Sequence, residues 1–187
     1  PTRRSSDLTS DISVIEGGSP LERSRTDLGE IKIAVPAIDI QVLALGGGSI
    51  ARIDSGGILA LGPRSAGSSP GPACYGRGGE LPTLTDANLA LGYLSAETFL
   101  GGRMSLSRDA SRDAIERHIA APLGISIEKA SLAMNRLASS RIAEGVRVST
   151  LRRGMDPREL ALLSFGGAGG VHVSAVRREL NIPLALV

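Results

Sequence analysis

The sequence predicts a mixed α/β chain, because three kinds of segment follow one another. The first third carries short β-favouring alternations and the middle carries apolar residues at helical spacing. The end reads strand, glycine loop, helix, strand, a unit of βαβ type.

Element by element, Pro1 to Leu8 is polar, basic and unpatterned, and is expected to be extraneous sequence from cloning or a translated adapter. Residues 9–187 then read as an internal piece of one domain, truncated at both ends and starting without a methionine. Alternations at Ile12-Val14 and Ile31-Ile33-Val35 flank the turn Glu16 to Pro20, so an antiparallel strand–turn–strand is expected. Ile38 to Leu45 is a further strand, ending at Gly46-Gly47-Gly48-Ser49. Ile50–Ile53 and Ile58–Leu61, split by Asp54-Ser55-Gly56-Gly57, read as a hairpin. The stretch from Gly62 to Asp86 is rich in Gly, Pro and Ser and has no period, which marks a stiff functional loop.

Helices follow. Asp86 is placed to cap a short helix that stops at Gly92. Ser107 to Leu123 puts Ala110, Ala114, Ile115, His118 and Ile119 on one flank, and His118 there reads as a structural residue. Ser126 caps the longest helix, whose stripe is Ile127, Ala130, Met134, Ala138, Ile142 and Val146. Gly145 inside it costs about 1 kcal/mol relative to alanine, so a close packing neighbour is expected. Arg152 and Arg153 sit at its end, where cations suit the dipole, before Gly154 and Asp156-Pro157 stop it. Leu160–Phe165 reads as a buried strand, Val171–Leu180 as a helix and Ile182–Val187 as a strand.

Composition excludes several function classes. Phe99, Phe165, Tyr75 and Tyr93 are the only aromatics and there is no Trp, so the core is aliphatic and base-stacking platforms are hard to build. The net charge is +2, with basic residues scattered among acids, so no nucleic-acid partner is expected. The single cysteine, Cys74, rules out an internal disulfide and fits a cytoplasmic setting; it reads as a structural thiol. No apolar run approaches the roughly 20 residues a membrane span needs, and no signal peptide is seen.

Two glycine clusters follow apolar strands. In Gly46-Gly47-Gly48-Ser49 the glycines permit positive φ and close approach of backbone amides to a ligand, with the Ser49 hydroxyl as a further donor. In Gly166-Gly167-Ala168-Gly169-Gly170 the glycines precede a helix, where free N–H groups and the dipole favour phosphate. Neither is a Walker loop or a Rossmann fingerprint, since no Gly-Lys-Ser/Thr and no later acidic ribose ligand accompany them. Other candidates have two readings each. Asp39 is a metal ligand or a strand-end carboxylate, Asp86 a metal ligand or a cap, and His172 a metal or substrate ligand or a packed imidazole.

The ordered series Gly46-Gly47-Gly48-Ser49-Ile50, Gly62-Pro63, Ser65-Ala66-Gly67, Pro70-Gly71-Pro72-Ala73-Cys74-Tyr75-Gly76, Pro82-Thr83-x-Thr85-Asp86-Ala87-Asn88, Phe99-Leu100-Gly101-Gly102 and Phe165-Gly166-Gly167-Ala168-Gly169 is far more specific than its parts. It closely resembles the hydantoinase A/5-oxoprolinase family, which includes a subunit of ATP-dependent ketone carboxylases. The resemblance implies part of an actin-like, ribonuclease-H-like ATPase core with a helical segment. It implies ATP and Mg²⁺ as cofactors, with Asp39, Asp86 and His172 as candidates for a divalent metal. Gly46 to Ser49 and Gly166 to Gly169 would hold the nucleotide, and Asp11 and Asp39 would be catalytic. The implied reaction phosphorylates the carbonyl oxygen of a cyclic amide before ring opening; the alternatives are a ketone carboxylase subunit, or a nucleotide-binding module without turnover. A hydantoinase B-type subunit or domain is the implied partner. The chain departs from the family pattern in three places. Only Thr9-Ser10-Asp11 remains of a Gly-Gly-Thr-Ser/Thr-x-Asp phosphate loop, Gln41 stands where histidine is usual, and Gly170 stands where proline is usual. The first predicts weaker triphosphate binding, and Gln41 predicts an altered metal or substrate site.

Overall fold

A computed structural model describes residues 9–28 and 30–187; the opening segment 1–8 lies outside the described residues. Its first part is a set of short strands: β1 Ser10–Ser13, β2 Ile15–Glu16, β3 Ser19–Pro20, β4 Glu22–Arg23, β5 Thr26–Leu28, β6 Ile31–Ile33, β7 Ala37–Ile38 and β8 Ile40–Leu43. β2 and β3 form the expected turn, with Gly17 and Gly18 at φ 59° and 81°, a region glycine enters without Cβ strain. The partner of β1, however, is β8, with Asp11 opposite Val42 and Ile12 opposite Gln41, while β6 closes its own hairpin with β5. The alternation marked β1 and β6 but neither β4 nor β5, and the predicted strand Ile38 to Leu45 divides into β7 and β8; it carried no information on which distant strand supplies the apolar mate. That mate is chosen by the long helix beneath, because Ile12 and Leu43 share the face turned to it.

β9 Ser49–Ile53 and β10 Leu59–Ser65 make the expected hairpin. Its turn is held by the Asp54 carboxylate, which accepts the amides of Gly56 (2.9 Å) and Ile58 (3.0 Å). β10 continues to Ser65 and so shortens the long loop, which then makes a 3₁₀ turn at Ala73–Tyr75.

Helix α1, Leu84–Ala90, is buried from Leu84 to Leu89 and forms the hub of the molecule. Thr83 is its N-cap and Asp86 its third residue, a capping box in which each side chain bonds the other's backbone. The expected cap therefore lies three residues inside the helix. α2, Arg108–Ile115, starts on Ser107 as predicted and continues through a π turn, Glu116–Ala120, into α3, Ala121–Leu123. α4, Ile127–Leu151, starts on the Ser126 cap, worth about 1 kcal/mol. Its stripe splits between two cores. Ala130, Met134 and Ala138 pack with Leu45, Leu84, Ile115 and Ile119, Ile142 borders both cores, and Val146, with Ala143 outside the stripe, packs with Val176, Leu180 and Ile182. Gly145 lies under the β1–β8 pair: a Cβ there would sit 2.7 Å from Ile12 Cδ1 and 2.8 Å from Leu43 Cδ1. The close neighbour expected from the helical glycine is thus present.

The chain ends in β11 Ala161–Leu163, α5 Gly169–Leu180 and β12 Leu184–Leu186, with β11 and β12 parallel as a βαβ unit requires. The expected burial of the first strand is not met, since Leu163 is 55% and Phe165 85% exposed. Among the described residues no helix is long and apolar enough to cross a membrane.

Candidate functional site

The turn Gly46–Ser49 is buried, and its glycine carbonyls and the Ser49 hydroxyl are engaged internally. The carbonyls of Gly46, Gly47 and Gly48 accept the amides of Ser49 (3.0 Å), Thr85 (2.8 Å) and Ala66 (2.9 Å). The Ser49 hydroxyl, expected to donate to a ligand, accepts the Gly46 amide at 2.9 Å. Ser10 Oγ adds a bond to the Leu45 carbonyl at 2.7 Å. The turn thus ties β1, α1 and the loop after β10 together. Positive φ in this region falls at Gly62, Gly67 and Gly71. At Gly62 (φ 67°) the reason is steric, since a Cβ would come within 3.2 Å of the Ala44 carbonyl oxygen.

Asp86 is fully buried and accepts five hydrogen bonds. Oδ2 takes Thr83 N (2.8 Å), Thr83 Oγ1 (2.7 Å) and Ala73 N (3.3 Å), while Oδ1 takes Cys74 N (2.8 Å) and Ser111 Oγ (3.0 Å). Its lone pairs are therefore committed to holding the 3₁₀ turn and α2 onto α1. The positive end of the α1 dipole favours the carboxylate there. Cys74, beside it, is fully buried. Burial, reinforced by the Asp86 carboxylate, pushes its thiol far above the ordinary range. A neutral thiol with no exposed surface does not act as a nucleophile.

Asp39 makes an ion pair with Arg153, which also donates to the Ser149 carbonyl at the end of α4. This is the expected helix-end cation, and it fastens the β7–β8 corner to α4; Arg152 reaches Gln41 Oε1 at 3.5 Å. Asp11 is exposed on the face of β1 turned away from α4. The expected metal trio does not assemble: among the described residues, no three His, Cys, Asp or Glu side chains gather to hold an ion. Asp86 is enclosed by its five donors, Asp39 is bound to Arg153, and His172 is packed between helices.

The second glycine turn has the opposite character. Gly166 (φ 93°) and Gly167 are exposed, and α5 starts at Gly169 with Ala168 as N-cap. No side chain caps the helix and no acid lies in its first turn, so the positive N-terminus faces outward without an internal anion. A Cβ at Gly169 would meet Ser164 Oγ at 2.5 Å, so a larger residue there would turn the serine hydroxyl aside.

Between the two turns stands α4, and a row of buried polar groups crosses it. Asn88 Oδ1 on α1 accepts from Asn135 Nδ2 (2.9 Å), the Asn135 carbonyl accepts from Ser139 Oγ (3.0 Å), and Ser139 Oγ meets His172 Nδ1 (3.0 Å). The sequence reading missed this row. Its signal was Ser131, Asn135 and Ser139 at steps of four, running beside the apolar stripe of α4. Among the described residues no hydrogen bond joins the two glycine turns to each other.

Burial lowers the His172 pKa from 6.5 to about 4, so the imidazole is neutral at pH 7. In the unfolded chain it takes up a proton as pH falls through 6.5, whereas the folded chain resists until about 4. Its contribution is therefore fully present above pH 6.5 and is lost between 6.5 and 4. Between pH 7 and 5 the expected loss is about 1–2 kcal/mol. His172→Gln, which does not titrate, should flatten that part of the profile in urea denaturation; an unchanged slope would show that another group carries it.

The family model described as Hydantoinase/oxoprolinase matches residues 8–187. The alpha subunit of a caprolactamase from Pseudomonas jessenii is 46% identical over 177 residues, covering 95% of this chain and 25% of that one. The crystal structure of the ATP-dependent caprolactamase from that organism superposes with a TM-score of 0.87 at 45% identity, over 96% of this chain and 26% of that chain. A nucleotide-free acetone carboxylase, from a description of ATP-dependent acetone carboxylation, superposes with a TM-score of 0.88 at 31% identity, over 98% of this chain and 26% of that chain. The chain thus spans about a quarter of the length of these relatives. On this match over nearly its whole length, the chain belongs to the hydantoinase/oxoprolinase family.

Proposed function

We propose that residues 9–187 form part of the actin-like nucleotide-binding core of an ATP-dependent enzyme that opens a cyclic amide. The observation that carries this reading is the exposed, uncapped glycine start of α5. Gly166, Gly167, Ala168 and Gly169 present backbone amides and a positive dipole to a phosphate group, and glycine lets the ligand approach the main chain. The buried Gly46–Ser49 turn acts from behind, as the knot that fixes α1. Neutral His172, bonded to Ser139, anchors the first turn of α5 to α4. Mg²⁺ keeps several waters and needs only one or two carboxylates, which suits exposed Asp11. Asp39 then serves as a positioning residue through Arg153. Bound ATP would supply the phosphoryl group that turns a poorly electrophilic amide oxygen into a leaving group.

The relatives are named as subunits, caprolactamase alpha and acetone carboxylase beta among them, which supports a partner subunit of hydantoinase B type. The amide reading is supported by a narrow margin: the caprolactamase subunit is 46% identical over 95% of this chain, against 43% over 76% for the acetophenone carboxylase gamma subunit from Aromatoleum aromaticum. The full-length protein, with its partner, should convert caprolactam, 5-oxoproline or hydantoin to the ring-opened product only when ATP is supplied. Consumption of ATP with ketone and bicarbonate, without any lactam product, would instead establish the carboxylase reading. Nucleotide binding with no turnover of either class would leave a binding module.

A further inference from the structure

A cavity of about 400 Å³ opens between β9 and the π turn, away from the start of α5. Four nitrogen-bearing cationic or imidazole side chains line it, Arg52, Arg64, Arg117 and His118, over an apolar floor that includes Ile53 and Leu81. No carboxylate lines it. Among the described residues, none of the three guanidinium groups has a carboxylate partner. We propose that this cavity is a binding site for a small polyanion carrying two or more phosphate or carboxylate groups.

Two further features support a built site. Arg52 is fixed, since its guanidinium donates to the Gly62 carbonyl at 2.5 Å, and Gly62 itself sits in a left-handed turn against Ala44. On the other wall the helix that begins as α2 widens into the π turn. Such single turns recur at functional sites because the extra residue turns neighbouring side chains off the regular helical face. Here Ile115, Ile119 and Ala120 remain fully buried and anchor the turn, while consecutive residues Arg117 and His118 face the cavity. Guanidinium forks match phosphate and carboxylate in a bidentate manner. The volume falls in the range of small-ligand sites, and the apolar floor suits the carbon body of such a ligand. A nucleic acid is disfavoured, because the lining holds no Phe, Tyr or Trp for base stacking.

This inference is independent of the nucleotide reading. The test is calorimetric titration of the full-length protein with pyrophosphate and, separately, citrate, at low salt and with a non-hydrolysable ATP analogue at saturation. At least one probe should bind saturably, and the double variant Arg64→Gln/Arg117→Gln should weaken it about tenfold or more. Both residues are exposed and make no hydrogen bond or ion pair among the described residues, so the thermal midpoint should hold. Arg64→Lys/Arg117→Lys keeps the charge and loses the fork, and should fall between wild type and the glutamine pair. Nucleotide affinity should not change in either variant. The proposal is overturned if neither probe saturates, if the glutamine pair binds as wild type does, or if the ATP analogue displaces the probe. Saturable binding of polyglutamate alone would identify the cavity as a contact for an acidic peptide and would equally overturn it.

Discussion

Replacing Asp86 with alanine should produce the largest loss of stability of any single change to this chain, about 4 kcal/mol or more locally. The carboxylate accepts five hydrogen bonds inside a fully buried site, three from backbone amides and two from hydroxyls. Each buried donor left without a partner costs about 1–3 kcal/mol, and water entering the vacated space recovers only part of this. The affected elements are the 3₁₀ turn, the start of α1 and the start of α2, all held by the same two oxygens. Asp86→Asn keeps the volume but turns an NH₂ toward groups that donate, so it should cost about half as much. Hydrogen exchange read by mass spectrometry on peptides covering 72–90 and 107–113 reports this directly. Strong deprotection of those peptides is expected in the alanine variant, and native protection in it would refute the hub.

Gly145→Val ranks second, with an expected cost of about 2–3 kcal/mol. Alanine at this position is a closer balance. It gains about 1 kcal/mol of helix propensity, but its Cβ meets Ile12 and Leu43 at 2.7 and 2.8 Å. Those contacts are the ends of flexible side chains, so alanine should be near neutral. Valine adds two methyl groups where both neighbours are already in contact, and the β1–β8 pair must then lift from α4. The double variant Gly145→Val/Leu43→Ala should recover part of the loss, a coupling that a general helix defect would not produce. Thermal midpoints of the four proteins of that cycle check it, and strict additivity would contradict the packing argument.

Much of this fold was legible in local signals. Ser126 announced its helix because an N-cap is a contact within three residues. The closing βαβ unit and the helical glycine were legible for the same reason, since each rests on spacing along one element. What could not be read was set at long range. The pairing of β1 with β8 depends on α4 beneath them, 100 or so residues away in sequence. Asp86 carried the right residue type for either a cap or a ligand; only the arrival of Cys74 and Ser111 on its other oxygen decides how its lone pairs are used. The two glycine clusters looked alike in sequence and differ in structure because one is covered by α1 and the other is not. His118, read as structural, lies on the cavity wall because the π turn breaks the regular spacing used to place it.

The central claim, that the start of α5 holds the phosphates of ATP, is tested most directly by comparing valine at the two turns in the full-length protein. Gly167→Val, in an exposed turn, should weaken ATP at least tenfold in calorimetric titration while leaving the thermal midpoint close to wild type. Gly47→Val, in a buried turn whose carbonyl holds Thr85, should lower the midpoint. Unchanged ATP affinity in Gly167→Val, with the fold intact, would contradict the claim.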